Sequence, residues 1–331
     1  MIICTSNYKE GSSPYAISLE AKKYNIPCEY HTKNNRQIKK GKYIAAITNN
    51  GSLLRDLSNI KKFNTQHGQS WLGDAQQEDW INYYLMASEW MKDMFIRNGF
   101  NKDKLIVTGQ PRLDFLYKTL QNYNPDDKKT IIYAPTWERM QFGGGTKGIF
   151  ANWFSDIKTE IDAMVNLIMA TIKYGANLII RLHSHYARYY EHQVPDHIYQ
   201  MIKDLSFISI SSMITNPDSF NELIKADLLI TDYSSIATDF LALDRPVAFI
   251  KEGCGWVYNN TGKWFLMPDE RYKMGEVIED YKDFDKVIYE AFSNPEKNSK
   301  VRQEYFEKLH GKFDGKNSKR ALKAILEGCK K

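Results

Sequence analysis

The chain has 331 residues, more than one typical hydrophobic core, so two domains are expected. Hydrophobic residues make up 43% and charged residues 26%, a balance that excludes a disordered or fibrous protein and is typical of a soluble globular one. The formal net charge of +5 agrees with an anionic ligand or a membrane surface but requires neither, so a solvated basic surface is the preferred interpretation.

Strand-like and helix-like segments alternate along the first part of the chain. Strands are predicted at 1–6, 28–32, 43–48, 82–88 and 104–109, and helices at 14–25, 51–63 and 89–99. This alternation predicts a parallel sheet with crossover helices.

The polar segment QNYNPDDKK at 121–129 contains a proline and is the best linker in the sequence. After it, strands are predicted at 130–136, 177–183, 206–211, 227–231 and 246–250, and helices at 156–175 and 220–226. We therefore predict an α/β protein with two Rossmann-like parallel-sheet domains that face each other across a cleft. The expected domains are 1–122 and 123–331, with the final helix a candidate to cross back to the first.

The four cysteines are scattered and form no C-x-x-C pair, so reduced cytosolic thiols are expected rather than a zinc ribbon or a disulfide framework. The opening MIICTSNYKEG has no basic residue before its apolar part, which argues against a signal peptide. No apolar run approaches the roughly 18 residues of a spanning helix. A cytoplasmic location is expected, with a peripheral position on the cell membrane as the alternative.

Ligands of open α/β sheets bind beyond the carboxyl ends of the strands, so polar residues that follow predicted strands are informative. The first such place is DLLITDYSSIATDF at 227–240, where apolar residues at helical spacing begin after Ser234 and Ser235. Free N–H groups at a helix start favour an anion, and two hydroxyls would suit a diphosphate. Plain helix capping explains this stretch equally well.

The second place is FNTQHGQSW. Phe63 and Thr65 share one side of a short strand that delivers His67 to a loop, and Gly68 lets the backbone turn closely. A histidine can take a proton from a hydroxyl near neutral pH. A loop histidine without a catalytic role is the more common case.

The third place is IIRLHSHY. His183 and His185 are two residues apart and share a face if the strand continues. No further side chain lies at a metal-ligand spacing, so one histidine facing the cleft is preferred over a metal site.

The fourth place is TGQPRLD, where Gly109 and Pro111 enforce a turn after a strand. The turn presents Arg112, a good donor to a phosphate or a carboxylate. The alternative is a surface ion pair between Arg112 and Asp114, which would contribute little.

Five motifs, TQHG, TGQPRLD, YAPTW, RLHS and TDYSSIATDF, occur in the order and approximate spacing of the CDP-glycerol glycerophosphotransferase family. The closing segment FDGKNSKRALKAIL also resembles that family, which contains teichoic-acid glycerol-phosphate primases and polymerases. The resemblance implies a GT-B fold whose C-terminal domain holds most of the nucleotide. It also implies transfer of a polyol-phosphate from CDP-glycerol or CDP-ribitol to an acceptor hydroxyl, with loss of CMP and no tightly bound cofactor.

The resemblance implies roles for the matched residues. His67 matches the histidine proposed as base on the acceptor, and His183 the one that steadies the diphosphate or the leaving group. Ser184 stands where the family usually has proline, so either His183 or His185 faces the donor. The other expected donor-site residues are Ser234, Ser235, Asp232, Asp239, Thr136 and Arg112, with Gly68, Asp114 and His185 in support.

The expected partners are a CDP-linked donor and a lipid-linked or oligosaccharide acceptor. Helix N–H groups, hydroxyls and a protonated His183 would hold the diphosphate, so a divalent metal is compatible with the chemistry but not indicated. A GT-B glycosyltransferase using a nucleotide sugar is the main alternative. A non-enzymatic nucleotide-binding protein of capsule assembly is disfavoured by the two histidines. A nucleic-acid-binding protein is disfavoured because basic residues are interspersed with acids.

The last residues of the chain combine many lysines with an apolar side formed by Leu322, Ile325 and Leu326. We expect this C-terminal helix to pack back on the protein. Contact of its basic face with anionic lipid of the inner membrane is the alternative.

Overall fold

The computed structural model describes residues 1–6, 11–32, 43–49, 54–55, 57, 59–66, 78–135, 157–182, 194–232, 234–251 and 268–330. Over these ranges the chain divides into two compact units, Met1–Tyr123 with Glu304–Lys331, and Asn124–Gln303. The described part of each unit contains one six-stranded sheet, and every strand pair in both sheets is parallel. The predicted α/β fold with two Rossmann-like parallel sheets is confirmed.

The sheet of the first unit has the strand order β2-β1-β3-β4-β5-β6. Its strands are β1 (Ile2–Ser6), β2 (Cys28–Thr32), β3 (Ala45–Thr48), β4 (Lys61–Asn64), β5 (Tyr83–Met86) and β6 (Leu105–Val107). The helices are α1 (Ser13–Lys23), α2 (Glu89–Arg97), α3 (Leu113–Gln121) and, at the end of the chain, α11 (Asn317–Gly328), with a 3₁₀ turn at Lys102–Lys104. All five residues of β1 are buried, because both faces of a parallel sheet are covered.

The sheet of the second unit has the order β12-β11-β10-β7-β8-β9, which is the doubly wound 3-2-1-4-5-6 arrangement within this unit. Its strands are β7 (Thr130–Ala134), β8 (Asn177–Leu182), β9 (Ile208–Ser212), β10 (Leu228–Thr231), β11 (Val247–Ile250) and β12 (Glu276–Ile278). The helices are α4 (Ile157–Lys173), α5 (Asp196–Ile202), α6 (Phe220–Leu223), α7 (Ile236–Phe240), α8 (Pro268–Arg271) and α9 (Phe284–Ser293). A further helix, α10 (Ser299–His310), begins in this unit and ends in the first. Short 3₁₀ turns lie at Leu241–Leu243, Tyr272–Met274 and Tyr281–Asp283.

One predicted helix is wrong at its C-terminal end. The helix predicted over 51–63 overlaps β4, in which Phe63 is fully buried and lies beside Ile47 of β3. Sheet pairing and burial of this aromatic ring outweigh the helical spacing of the preceding apolar residues. The short strand expected around Phe63 is present.

The C-terminal helix α11 packs its apolar side into the core of the first unit. Leu322 and Ile325 belong to the same buried cluster as Phe63. Gly328 lies so close to the same ring that an added Cβ would come within 2.9 Å of Phe63 Cζ. The expectation that this helix packs back on the protein is confirmed, while Lys319 and Lys323 on its other side are exposed.

The TGQPRLD and FDGKNSKRALKAIL motifs bind each other within the first unit. The carboxylate of Asp114 accepts hydrogen bonds from the backbone N–H of Asn317 (3.0 Å) and of Ser318 (2.7 Å), at the start of α11. In the other direction, Arg320 donates a hydrogen bond from Nε to the Thr108 carbonyl at 2.9 Å, and it forms a bidentate ion pair with Asp314. Burial raises the pKa of Asp114, although the hydrogen bonds from Ser318 and Asn317 act in the opposite direction.

Gly109 has no side chain and so lets Asn317 approach its backbone closely. Its substitution tests whether the two motifs depend on this close approach. An added Cβ would lie 1.8 Å from Asn317 Oδ1, and the backbone φ is +83°. We expect Gly109→Ala to lower the free energy of unfolding by the backbone strain of about 1–2 kcal/mol plus an overlap cost of about 1–3 kcal/mol. Equilibrium urea unfolding measures the difference.

The matched control is Gly99→Ala. Gly99 also has a left-handed backbone, with φ +89°, but no atom within 4 Å of an added Cβ. It should therefore show the backbone strain alone. Equal losses of stability in the two variants would mean that α11 does not depend on the close approach at Gly109.

None of the helices in the described ranges combines the length and the apolar character that crossing a membrane would need.

Candidate functional site

The carboxyl edge of the second sheet brings together the ends of β7 and β10. These strands are neighbours in space, with Ile230 beside Tyr133, although they are separated by almost 100 residues. Thr231 donates from Oγ1 to the Ala134 carbonyl at 2.5 Å and so fixes the two strand ends together. This is the topological switch point of the doubly wound sheet, where such folds bind ligands.

The turn after β10 contains the polar residues of the TDYSS motif. Asp232 is buried, and its Oδ1 accepts a hydrogen bond from the backbone N–H of Ser234 at 3.0 Å. Ser234 Oγ in turn accepts from the N–H of Ile236 at 3.4 Å. Asp232 and Ser234 therefore both serve to start the helix that follows.

Ser235 differs from Ser234 in this respect. It occupies the N-cap position of α7, but its side chain makes no capping hydrogen bond. Its backbone carbonyl accepts from Thr238 Oγ1 at 2.8 Å, and the residue is half-buried. Helix capping therefore explains the position of the Ser234 hydroxyl. It does not explain the Ser235 hydroxyl, which makes no capping bond.

Asp239, which the family resemblance assigns to the donor site, lies in the first turn of α7 and is only 3% exposed. The helix is short and ends in a 3₁₀ turn at Leu241–Leu243. Asp244 closes it in a left-handed conformation, with φ +49°, and its carboxylate binds the buried Arg302 at 2.9 Å. The buried Asp239 carboxylate thus lies about one helical turn after Ser234 and Ser235, in a helix that is followed by the Asp244–Arg302 ion pair.

Arg271, the last residue of α8, is a residue of this site that sequence reasoning missed. Its guanidinium is buried, with 3% of the residue exposed, and Nη1 lies 3.5 Å from the Asp232 carbonyl. None of the motifs singled out in the sequence contains Arg271. A buried cation thus lies against the backbone of the TDYSS turn.

The end of β8 is anchored by Arg181, the first residue of the RLHS motif. The guanidinium is largely buried, donates to Ser211 Oγ at 3.0 Å and to the Asn216 carbonyl at 3.1 Å, and pairs with Glu222 at 2.5 Å. These contacts give Arg181 a structural role. His183 and His185, which follow it, lie outside the described residues.

In the first unit, Arg112 is the N-cap residue of α3 and is half-buried. Its backbone N–H donates to Ser13 Oγ at 3.4 Å. The Asp114 carboxylate accepts hydrogen bonds from the backbone at the start of α11, so its role is structural. His67 and Gly68 after β4, and Thr136 after β7, lie outside the described residues.

The described ranges contain no cluster of three or more side chains suited to binding a metal ion. Asp232, Ser234, Ser235 and Asp239 lie between positions 232 and 239 after β10, and Arg271 contacts the Asp232 carbonyl. These hydroxyls, backbone N–H groups and the guanidinium are the donor types that bind a phosphate or diphosphate.

Comparison with known proteins gives one family match. The sequence model described as CDP-glycerol:poly(glycerophosphate) glycerophosphotransferase matches residues 6–327. A teichoic acid glycerol-phosphate transferase of Staphylococcus aureus is 25% identical over 295 residues, which cover 82% of this chain and 67% of that protein. A teichoic acid poly(glycerol phosphate) polymerase of Bacillus spizizenii is 27% identical over 199 residues, which cover 56% of this chain and 43% of that protein.

Solved structures support the fold. The wall teichoic acid polymerase TagF superimposes with a TM-score of 0.71 at 18% identity, covering 100% of this chain and 89% of that chain. A UDP-GlcNAc 2-epimerase from Neisseria meningitidis superimposes with a TM-score of 0.57 at 12% identity, covering 99% of this chain and 100% of that one. The GT-B fold class is confirmed by these similarities.

Proposed function

Because the chain belongs to the CDP-glycerol:poly(glycerophosphate) glycerophosphotransferase family, we propose that it transfers glycerol-phosphate from CDP-glycerol to an acceptor hydroxyl and releases CMP. The teichoic acid enzymes among its relatives support a teichoic acid or a related surface polymer as the product. The acceptor is proposed to be a lipid-linked or oligosaccharide chain with a free hydroxyl.

The observation that carries the proposal is the turn at the switch point of the second sheet. Ser235 directly follows Ser234 at a helix start and makes no capping bond, and the buried guanidinium of Arg271 approaches the Asp232 carbonyl of the same turn. A diphosphate at this edge would accept hydrogen bonds from the serine hydroxyls, and it would gain from the nearby positive charge.

The reaction itself is a displacement at phosphorus. The acceptor oxygen attacks the phosphorus that carries the glycerol, a new phosphoester bond forms, and the bond to the bridging oxygen breaks, so that CMP leaves with that oxygen. His67 is proposed to take the proton of the acceptor hydroxyl, and His183 to steady the diphosphate or the leaving CMP. Positioning and charge stabilisation account for most of the catalysis of such transfers.

A donor screen tests the proposed function. The purified protein is incubated with CDP-glycerol, CDP-ribitol or UDP-GlcNAc, each with a glycerol-phosphate-primed acceptor, and the released nucleotide is separated by chromatography. We expect CMP from CDP-glycerol, a lower rate with CDP-ribitol, and no UDP. Release of UDP with sugar transfer would instead identify a GT-B glycosyltransferase, and the absence of any nucleotide release would refute a transferase using these donors.

A further inference from the structure

The outer side of α4 carries a stripe of exposed apolar side chains. Val165, Met169 and Ile172 are 41%, 60% and 50% exposed, and their spacing of four and three residues places them along one side of the helix. The opposite side belongs to the core of the second unit, where Met164 and Leu167 are fully buried. Single exposed apolar residues are ordinary, but a contiguous stripe of them marks an interaction surface.

Helix α9 continues this apolar surface. The ring of Tyr174, which directly follows α4, lies 6.4 Å from the ring of Tyr289 on α9, and Tyr289 is 52% exposed. Lys173 donates to both carboxylate oxygens of Asp285 at 2.8 Å and so links the same two helices. The surface, which we call the α4 face, therefore consists of Val165, Met169, Ile172 and Tyr289.

The charged residues beside the stripe match a second copy of the same helix. Asp162 and Lys173 are separated by about three helical turns, so both lie on the same edge of the stripe, one toward each end. In an antiparallel pair with a two-fold axis at the level between Val165 and Met169, this edge meets itself with its ends exchanged. Asp162 of each copy then lies beside Lys173 of the other copy, and Val165 of each beside Met169 of the other. The charges are therefore complementary at both ends of the pair.

An anionic lipid surface fits the α4 face less well. Such surfaces attract clusters of about 4–8 basic residues. The charged residues of α4, of α9 and of the 3₁₀ turn before α9 that lie around the face have both signs and almost cancel: Lys158, Lys173, Lys282 and Lys286 against Asp162, Asp283 and Asp285. This mixture of charges favours a protein partner over lipid.

We propose that the α4 face is a self-association surface, on which a second copy of this chain packs its own α4 in the antiparallel direction. The inference does not depend on the reaction proposed above. The 17 residues of α4 extend about 25 Å, and α4 and α9 together are about 20 Å wide, so each copy buries on the order of 500 Å². Stable complexes bury about 800 Å² per partner, so we expect a weak dimer with a dissociation constant of roughly 10 µM.

Sedimentation velocity at about 1–100 µM protein, a range around the expected dissociation constant, measures the association. We expect the dimer fraction of the wild type to rise with concentration. Met169→Glu places an unpaired charge in the middle of the stripe and should raise the dissociation constant by at least about tenfold. The melting temperature should not change, because Met169 is exposed in the single chain.

Ile214→Glu is the matched control. Ile214 is 61% exposed in the same unit, but it lies in the turn after β9 rather than on α4 or α9. This variant should dimerise like the wild type. A wild type that stays monomeric over the whole range would overturn the inference, as would a dimer that Met169→Glu leaves intact or that Ile214→Glu weakens equally.

A charge exchange tests the direction of packing. In an antiparallel dimer, Asp162→Lys alone and Lys173→Asp alone each bring like charges together at both ends, so each variant should have a dissociation constant raised by about tenfold. An equimolar mixture of the two variants restores opposite charges at both ends and should associate within about threefold of the wild type. If the mixture associates no better than the separate variants, antiparallel packing of α4 is refuted.

Vesicle flotation decides between a second copy and lipid. The wild type and Met169→Glu are mixed with vesicles of phosphatidylglycerol and phosphatidylcholine in equal parts. We expect the two proteins to float to the same extent, because the α4 face is not the lipid contact. Flotation of the wild type that Met169→Glu abolishes would identify the face as a lipid surface and overturn the inference.

Discussion

Replacing His67 by alanine is expected to lower the turnover number for CMP release by about 10²- to 10⁴-fold, the range that a general base contributes. The affinity for CDP-glycerol, measured by titration calorimetry, should stay within about threefold of the wild type. The reason is that the proposed donor contacts come from the turn after β10 in the second unit, whereas His67 follows β4 in the first.

His31→Ala serves as the matched control for this substitution. His31 lies on the edge strand β2 of the same unit and contacts Glu29 on the same strand, with 3.4 Å between the imidazole and the carboxylate. Its loss should leave the turnover number unchanged. Near-normal turnover of His67→Ala would show that another group takes the proton and that His67 is not the base.

Replacing Ser235 by alanine is expected to raise the dissociation constant for CDP-glycerol by about 10- to 100-fold, because a hydrogen bond to a charged group contributes about 1.5–3 kcal/mol. The melting temperature should not change, since the Ser235 side chain makes no capping bond. Ser234→Ala should weaken donor binding as well. It should also lower the stability by about 0.5–2 kcal/mol, because Ser234 Oγ accepts the Ile236 N–H.

Ser219→Ala is the control for both serine variants. Ser219 is the N-cap residue of α6 in the same unit and, like Ser235, makes no side-chain capping bond. It should leave donor binding and stability unchanged. Wild-type donor affinity in Ser235→Ala, together with a loss of stability alone in Ser234→Ala, would establish that TDYSS is only a helix start.

The sequence predicts some parts of the site because the signal is local. An apolar run that ends in Asp and Ser predicts both the strand β10 and the turn after it, since strand burial and capping depend on residues close in the chain. The family resemblance assigns Asp239 to the donor site, and its burial in the first turn of α7 is a finding of the structure.

Other parts could not be predicted, because they depend on residues far apart in the chain. Arg271 approaches the TDYSS turn only through the packing of α8, 39 residues after Asp232. Asp114 has the pattern of a surface ion-pair partner, yet the structure uses its carboxylate to cap α11, 203 residues later. Local periodicity carries no information about such partners.

The sequence by itself determined the alternation of strands and helices, the division into two α/β halves and the polar residues at the strand ends. These features depend on residue spacing and on burial of one face, which neighbouring residues reveal. Only the tertiary structure decided that β10 lies beside β7, that α11 belongs to the first unit and which of the two predictions for Phe63, helix or strand, is right. Pairing between distant segments is set by the packing of the whole sheet, and sheet packing can override local propensity.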